Sequence, residues 1–453
     1  MKKPMPPPDY EGLFGQLASA DEIAMMTRVV GLYYTNGIAG QRYLPWDEIR
    51  YRKPPEGLTI EQWWVAQKIA RRGMYRRVPL NDKNGEPFIF ALPDEVLQET
   101  DYIASYASGQ IGLSEQVTNP STRDRYLVSQ LIEEAITSSQ LEGASTSRKV
   151  AREMIRSGRR PQNRSETMIL NNFHAMQRIG EVRQEKLTIE LIHEIHRIVT
   201  DGTLDNPDAA GRFQLPEEDR VSVWDEEGEL LHSPPPAEQL TERMQRVCEF
   251  ANGQVGTGYL PGVLRALAVH FMIGYEHPFE DGNGRTARAL FYWSMLNQGY
   301  WLTEFLSVSR ILKRAHARYA RSFLYTETDE NDLTYFFIYH LNVLHRAIDE
   351  LHAYLARKMA EIQEVRATLR QSADAFNIRQ LALLQHALKS PGAIYSVQSH
   401  KTSHRVSIET ARSDLVTLES LGLLVKRKWG KRYVFEPVAD LANKIRAQSG
   451  QQV

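Results

Sequence analysis

Twelve consecutive residues, His277-Pro-Phe-Glu-Asp-Gly-Asn-Gly-Arg-Thr-Ala-Arg288, collect an imidazole, a carboxylate, two glycines and two guanidiniums. Gly282 and Gly284 allow the backbone to turn its N–H groups inward as an anion-binding nest. A helix starting just after them would point its N-terminus, with about half a positive charge, at the same spot. Arg285 and Arg288 are three apart, so both would project from the first turn of that helix on nearly the same side. Nest, helix end and guanidiniums make a polyphosphate cradle, and Asp281 beside it could hold a divalent cation. His277 sits just ahead. A neutral imidazole there can take a proton from an incoming hydroxyl near pH 7. A lone histidine is more often structural, and Gly-Asn-Gly is often only a turn; their co-location carries the reading.

The elements that must position this loop are helical. Leu264, Leu267, Phe271 and Tyr275 share one face of a helix before it, and an apolar helix ending at Gly299 follows. From Leu127 to Glu142, apolar Leu127, Leu131, Ile132, Ala135 and Ile136 recur at helical spacing. Further helices are expected near 165–179, 188–200, 236–252 and 332–355. Val221 to His232 alternates and turns at Glu227-Gly228, an isolated hairpin that should lie over something, since it is marginal alone. Residues 1–115 form an N-terminal region expected to pack on the catalytic core of 116–355, with a disordered proline tip (Pro4 to Pro8) and a hairpin at Asn84-Gly85. A helical connector, 356–375, leads to 376–453. There a helix (Leu381, Leu384, Leu388), a short polar helix, a helix burying Ala411, Leu415 and Leu418, and two strands turning at Trp429-Gly430 predict a winged helix-turn-helix.

The chain has 453 residues with a net charge of -1, so no global field recruits polyanions. The single cysteine, Cys248, excludes an internal disulfide and any cysteine-built zinc site. No apolar run approaches the ~18 residues needed to span a bilayer, and prolines stand where a signal peptide would be apolar. These features predict a cytoplasmic protein without membrane contact. His193-Glu-Ile-His196 has its histidines three apart, against four in the zinc-protease pattern, so amphipathic packing explains it better than a metal.

The stretch His277 to Arg288 resembles the Fic (Fic/Doc) family, whose motif HPFx(D/E)GNGRxxR is matched at all nine specified positions. The resemblance extends from about Leu127 to His340, including Gly211-Arg-Phe and the triple proline. It implies a mainly α fold: a Fic-type helical bundle with a β-hairpin flap, to which the C-terminal winged helix-turn-helix (α+β) is added. It also implies protein adenylyltransferase activity (AMPylation), with AMP passing from ATP to a Ser, Thr or Tyr hydroxyl of a target or of the chain itself. By that likeness His277 is the general base and Asp281 holds Mg²⁺ on the α and β phosphates. Gly282, Asn283 and Gly284 line the α-phosphate pocket, Arg285 meets the β-phosphate, Arg288 the γ-phosphate, and Phe279 anchors the loop. The hairpin resembles the family's flap, with Val221, Val223 and Trp224 as target-binding candidates. Glu276 departs from the apolar residue many members carry, and a carboxylate so near would raise the pKa of His277.

Ser138-Ser-Gln-Leu-Glu142-Gly143 resembles the family's inhibitory motif (S/T)xxxE(G/N). An acid in the last turn of a helix opposes its dipole, so Glu142 should have a cationic partner; Arg288 is the natural one, and Ser138 could fix the carboxylate. Autoinhibition in cis follows. Glu142 could instead position water for removal of AMP. In 371–450, twelve Lys and Arg stand against six Asp and Glu. Ser407, Thr410, Arg412 and Ser413 on the recognition helix and Lys426 and Lys428 on the wing are candidate DNA contacts, with protein docking or homodimerisation as the equal alternative. The rival overall function is a DNA-binding regulator whose Fic region senses a nucleotide.

Overall fold

The computed structural model describes residues 3–15, 21, 23–24, 27–28, 30–31, 42–108, 120–225, 227–256, 258–371, 376–389, 393–429, 432–438 and 440–449. After short helical turns at Tyr10–Gly15 and Trp46–Ile49, helix α1 spans Ile60–Arg72, closed at its start by a Thr59/Gln62 capping box. Strands β1 (Arg76–Asn81) and β2 (Pro87–Phe90) pair antiparallel, and Gly85 turns between them at φ 90°. Then come α2 (Asp94–Ala107), α3 (Pro120–Leu141), α4 (Arg148–Ser157), α5 (Arg164–Glu181) and α6 (Ile189–Thr200). Strands β3 (Val223–Trp224) and β4 (Leu230–His232) form a small hairpin, followed by α7 (Leu240–Ala251), α8 (Gly262–Glu276) and α9 (Asn283–Asn297). Helices α10 (Val308–Arg314), α11 (His316–Thr328) and α12 (Thr334–Gln371) come next. The architecture is mainly helical with small two-stranded hairpins.

Helix α8 is apolar nearly all round, and a helix of that kind can only be buried. Its residues from Leu264 to Ile273 are almost entirely inaccessible, apart from Arg265. It pairs with α9 as the central hairpin, and α5, α6 and α7 pack around the two. The segment His277 to Gly282 is the short connection between these two most buried helices. That placement gives the loop rigid supports at both ends.

Compact units cover Met1–Leu351 and His352–Val453. The helix expected over 332–355 runs on through 356–371 of the expected connector as one 38-residue helix, α12, and 372–375 lie outside the described residues. Nothing in its sequence stops it: no glycine or proline occurs between Thr334 and Gln371. The proline tip expected to be disordered is placed: Pro4 is buried and the Met5 N–H donates to Asp47 Oδ1 at 3.2 Å. Prolines hold φ in advance, so ordering them costs less chain entropy. The aromatic and basic residues of 42–72 form a buried polar network with the start of α12. Lys68 pairs with Asp329 at 2.8 Å, Arg71 donates to the Tyr335 hydroxyl at 2.8 Å, and Tyr43 bonds Asp332.

The second unit contains α13 (Ile378–Lys389), α14 (Val397–His404), α15 (Ile408–Ser420), β5 (Leu424–Trp429), β6 (Arg432–Pro437) and α16 (Leu441–Ser449). Leu383, Leu384, Leu415, Leu418, Leu424 and Phe435 form its core. The turn expected at Trp429-Gly430 falls partly on 430–431, outside the described residues. Among the described residues no helix is long and apolar enough to cross a membrane.

Candidate active site

His277 ends α8 in the left-handed conformation, φ 43° and ψ 53°, with its N–H on the Ile273 carbonyl at 3.1 Å. A non-glycine residue there costs of order 1–3 kcal/mol, so its surroundings must hold it. Asn283 supplies one clamp: its Oδ1 accepts from the Phe279 N–H at 2.9 Å and its Nδ2 donates to the Phe279 carbonyl at 2.7 Å. Those two bonds fix the amide's orientation, and the same Nδ2 lies 3.3 Å from His277 Nδ1. An amide nitrogen can only donate, so Nδ1 is an acceptor and the imidazole is neutral. Arg220 supplies the other clamp, donating to the carbonyls of Glu276 at 2.6 Å and His277 at 3.3 Å.

Helix α9 begins at Gly282, which is left-handed at φ 83°. A side chain there would collide with Thr200 and crowd His196. The N–H groups of Asn283, Gly284 and Arg285 are the first-turn donors that a helix leaves without an intrahelical acceptor. From beneath, His196 Nδ1 accepts from the Gly211 N–H at 2.9 Å, so its Nε2 carries the proton and donates it to the Asp281 carbonyl at 2.9 Å. Its ring stacks on fully buried Phe279 with centroids 3.7 Å apart. Burial pushes the His196 pKa down to about 4, which keeps this tautomer in place. The Asp281 carboxylate is half-exposed; Oδ1 accepts from the Gly282 N–H at 2.5 Å and Oδ2 is 3.4 Å from Arg285 Nη2.

The two arginines of the cradle take separate partners. Arg285 is buried and donates through Nη1 to the Val199 carbonyl at 2.9 Å. Arg288 donates from Nε to Ser138 Oγ at 2.9 Å and from Nη2 to the Ser138 carbonyl at 3.0 Å and Glu142 Oε1 at 2.8 Å. Ser138 therefore fixes the guanidinium, and the expectation that it would fix the Glu142 carboxylate is corrected. The cause is directional: an Arg side chain has only donors and the serine oxygen can accept. Glu142 follows the last residue of α3, and Gly143 after it is left-handed at φ 90°. Its carboxylate lies over the first turn of α9, so close that a Cβ on Gly284 would collide with Oε1. The acid unfavourable at the end of its own helix thus sits at the positive end of another. Arg288 Nη1 is buried without a hydrogen-bond partner and lies 3.1 Å from that same Cβ position.

Burial, reinforced by the electrostatic effect of neighbouring His232 and Arg220, pushes the His277 pKa down to about 4. The upward shift expected from Glu276 is overturned, because that carboxylate is turned away and neutralised. Glu276 is 1% exposed and grips Arg243 in a fork, Oε2 to Nε at 2.8 Å and Oε1 to Nη2 at 2.8 Å. Removing one partner of such a pair leaves a buried charge, which costs about 3–5 kcal/mol. Arg243→Ala is expected to lower unfolding stability by about that much in urea titration; a loss below about 1 kcal/mol would contradict a stabilising fork.

The hairpin β3–β4 carries Val223, half-buried, and Trp224, 58% exposed, with Val221 half-buried just before it and in backbone hydrogen-bond reach of His277. Its base is fixed by His232, with Nε2 to the Tyr275 carbonyl at 2.7 Å and Nδ1 to Glu327 at 2.6 Å. Four supporting residues were not read as such from the sequence: His196, Arg220, Arg243 and Gln214, whose N–H donates to the Pro278 carbonyl at 2.9 Å. Of these only His196 had a visible signal, its place beside His193 on one helix. In the second unit Ser407 and Thr410 are engaged in the cap of α15, at 3.1 Å from Thr410 N–H to Ser407 Oγ, while Arg412, Ser413, Lys426 and Lys428 are exposed.

The helical bundle thus sets a half-buried histidine and a glycine-bounded helix N-terminus side by side between its two innermost helices. Residues 186–295 match the model of the Fic/DOC family. The chain is 34% identical over 119 residues to the protein adenylyltransferase Fic of Drosophila willistoni, covering 26% of this chain and 22% of that one. It is 34% identical over 118 residues to the protein of the same name from Nematostella vectensis, covering 26% and 25%. It spans about a quarter of the length of these relatives. Among solved structures, a Fic family protein from Desulfovibrio desulfuricans G20 aligns at 17% identity and TM-score 0.49, over 77% of this chain and 96% of that one. Fic-1 from C. elegans aligns at 15% identity and TM-score 0.47, over 78% and 92%.

Proposed function

We propose that this chain is a Mg²⁺-dependent protein adenylyltransferase held in check by its own Glu142. The observation that carries the reading is the anion already seated in the cradle. The Glu142 carboxylate lies at the N-terminus of α9 against Gly284 and Arg288. The polyphosphate of ATP is the ligand for which such a site is suited, and similarity to proteins named protein adenylyltransferase supports that choice.

The residues fit a magnesium ion. Asp281 is a half-exposed carboxylate beside the nest, and Mg²⁺ is ordinarily held by one or two carboxylates together with substrate phosphates. Bound there, the ion would neutralise phosphate charge. The chain's own residues do the rest. Gly282, Asn283 and Gly284 line the α-phosphate pocket, into which Asn283 and Gly284 present free backbone N–H groups, Arg285 serves the β-phosphate and Arg288 the γ-phosphate. His277 takes the proton of the attacking Ser, Thr or Tyr hydroxyl as its oxygen bonds to the α-phosphorus and pyrophosphate leaves. The flap residues Val221, Val223 and Trp224 hold the hydroxyl-bearing segment by strand pairing. Rate enhancement then comes mainly from positioning and charge neutralisation.

ATP labelled separately at the α- and γ-phosphates tests the reaction class. Protein-bound label is expected from the α position alone; retention of γ label would mean phosphoryl transfer and overturn the reading. The low pKa of His277 adds a pH expectation. A base must be deprotonated, and one with a pKa pushed down to about 4 remains so through the range where an ordinary histidine, near 6.5, would protonate. Labelling by the Glu142→Gly variant should therefore stay level from about pH 8 to about pH 5.5. A tenfold fall between those values would show an ordinary histidine at work.

A further inference from the structure

The second unit carries a feature that adenylyl transfer does not use. Its elements follow in the order α13, a bridge of Tyr395 to Phe435 on β6, α14, α15, β5 and β6. Helices α14 and α15 are joined by only three residues. Arg405 is left-handed at φ 52°, and Ser407 caps α15. That is a helix-turn-helix connection, and the β5–β6 hairpin beside it is a wing. The buried Asp414 on α15 locks the arrangement, accepting from Arg379 at 2.7 Å, Asn377 at 2.8 Å and His400 at 3.1 Å.

With Ala411, Leu415 and Leu418 buried, α15 turns Arg412, Ser413 and Val416 outward. Arg405 precedes that face, and Lys426, Arg427 and Lys428 are exposed on β5, where Lys426 lies over the Tyr433 ring at 4.6 Å. The acids on these elements, besides buried Asp414, are few: Glu409 is exposed, Glu419 is half-buried near the far end of α15, and Glu436 pairs with Arg427 at 3.0 Å. Charge is also divided along the chain. Residues 371–450 hold twelve Lys and Arg against six Asp and Glu, while the rest holds 43 against 50. A basic tail on an otherwise acidic chain is suited to a polyanion. A second copy of the same face would set like charges together.

We propose that this unit docks duplex DNA, with α15 in the major groove through Arg412 and Ser413 and the wing lysines Lys426 and Lys428 on backbone phosphates. The proposal is independent of the adenylyltransferase reading. The test uses the full chain and a fluorescein-labelled duplex of mixed sequence, followed by anisotropy without nucleotide. Saturable binding should weaken about a hundredfold between 50 and 200 mM salt if about four phosphates are engaged. The triple variant Arg412→Ala/Lys426→Ala/Lys428→Ala should lose at least roughly tenfold in affinity with an unchanged thermal melt. Lys149→Ala/Arg156→Ala, exposed cations on α4, should bind as the parent does. Three results would overturn the proposal: no saturable binding at 50 mM salt, undiminished binding by the triple variant, or equal binding of a polyglutamate peptide or an RNA duplex. None of them bears on AMP transfer, which the labelled-ATP experiment reads separately.

Discussion

Replacing Glu142 by glycine should raise incorporation of AMP by roughly ten- to a hundredfold. The ion pair with Arg288, 2.8 Å long, occupies the guanidinium that the proposed reading assigns to the terminal phosphate, and the carboxylate fills the space over Gly284 where that reading puts the nucleotide. Charge-assisted hydrogen bonds contribute about 1.5–3 kcal/mol, and each 1.4 kcal/mol is close to tenfold in rate. Glu142 stands just past the end of α3 with its side chain 31% exposed, so its removal should leave the fold intact. Glu142→Gln, which keeps the size and loses the charge, should lie between parent and glycine variant. Equal labelling by all three proteins would remove the restraint from the account.

His277→Ala, made in the Glu142→Gly background, should lower labelling by roughly 100- to 10,000-fold, the usual contribution of general base catalysis. ATP affinity measured by calorimetry should stay within about threefold, because the cradle is built by α9 and Arg288 and not by the imidazole. That split separates a catalytic base from a structural residue. Equal labelling with and without the histidine would favour a nucleotide sensor, which needs no proton acceptor.

The helices that carry the site were legible because apolar residues recur at helical spacing on each. Leu264, Leu267, Phe271 and Tyr275 on α8, and Leu131, Ile132, Ala135 and Ile136 on α3, are all buried. The cradle was legible because its parts are contiguous in the chain. The supports were not, since they arrive from far away. Arg243 lies 33 residues from Glu276, Arg220 lies 57 residues from His277, and neither spacing has a local meaning. The direction of the His277 shift was misread for the same reason: adjacency in sequence placed a carboxylate beside it, and the helix end turned that carboxylate into Arg243. The helix boundary near 355 failed differently, because nothing in the residues of α12 breaks the helix there.

The most direct measurement is intact mass spectrometry of the Glu142→Gly protein after incubation with ATP and Mg²⁺, alongside the Glu142→Gly/His277→Ala protein. A mass increase of one adenylyl group in the first and none in the second is the predicted result. An adduct on both proteins, or on neither, would contradict a histidine and phosphate cradle acting together on the α-phosphorus.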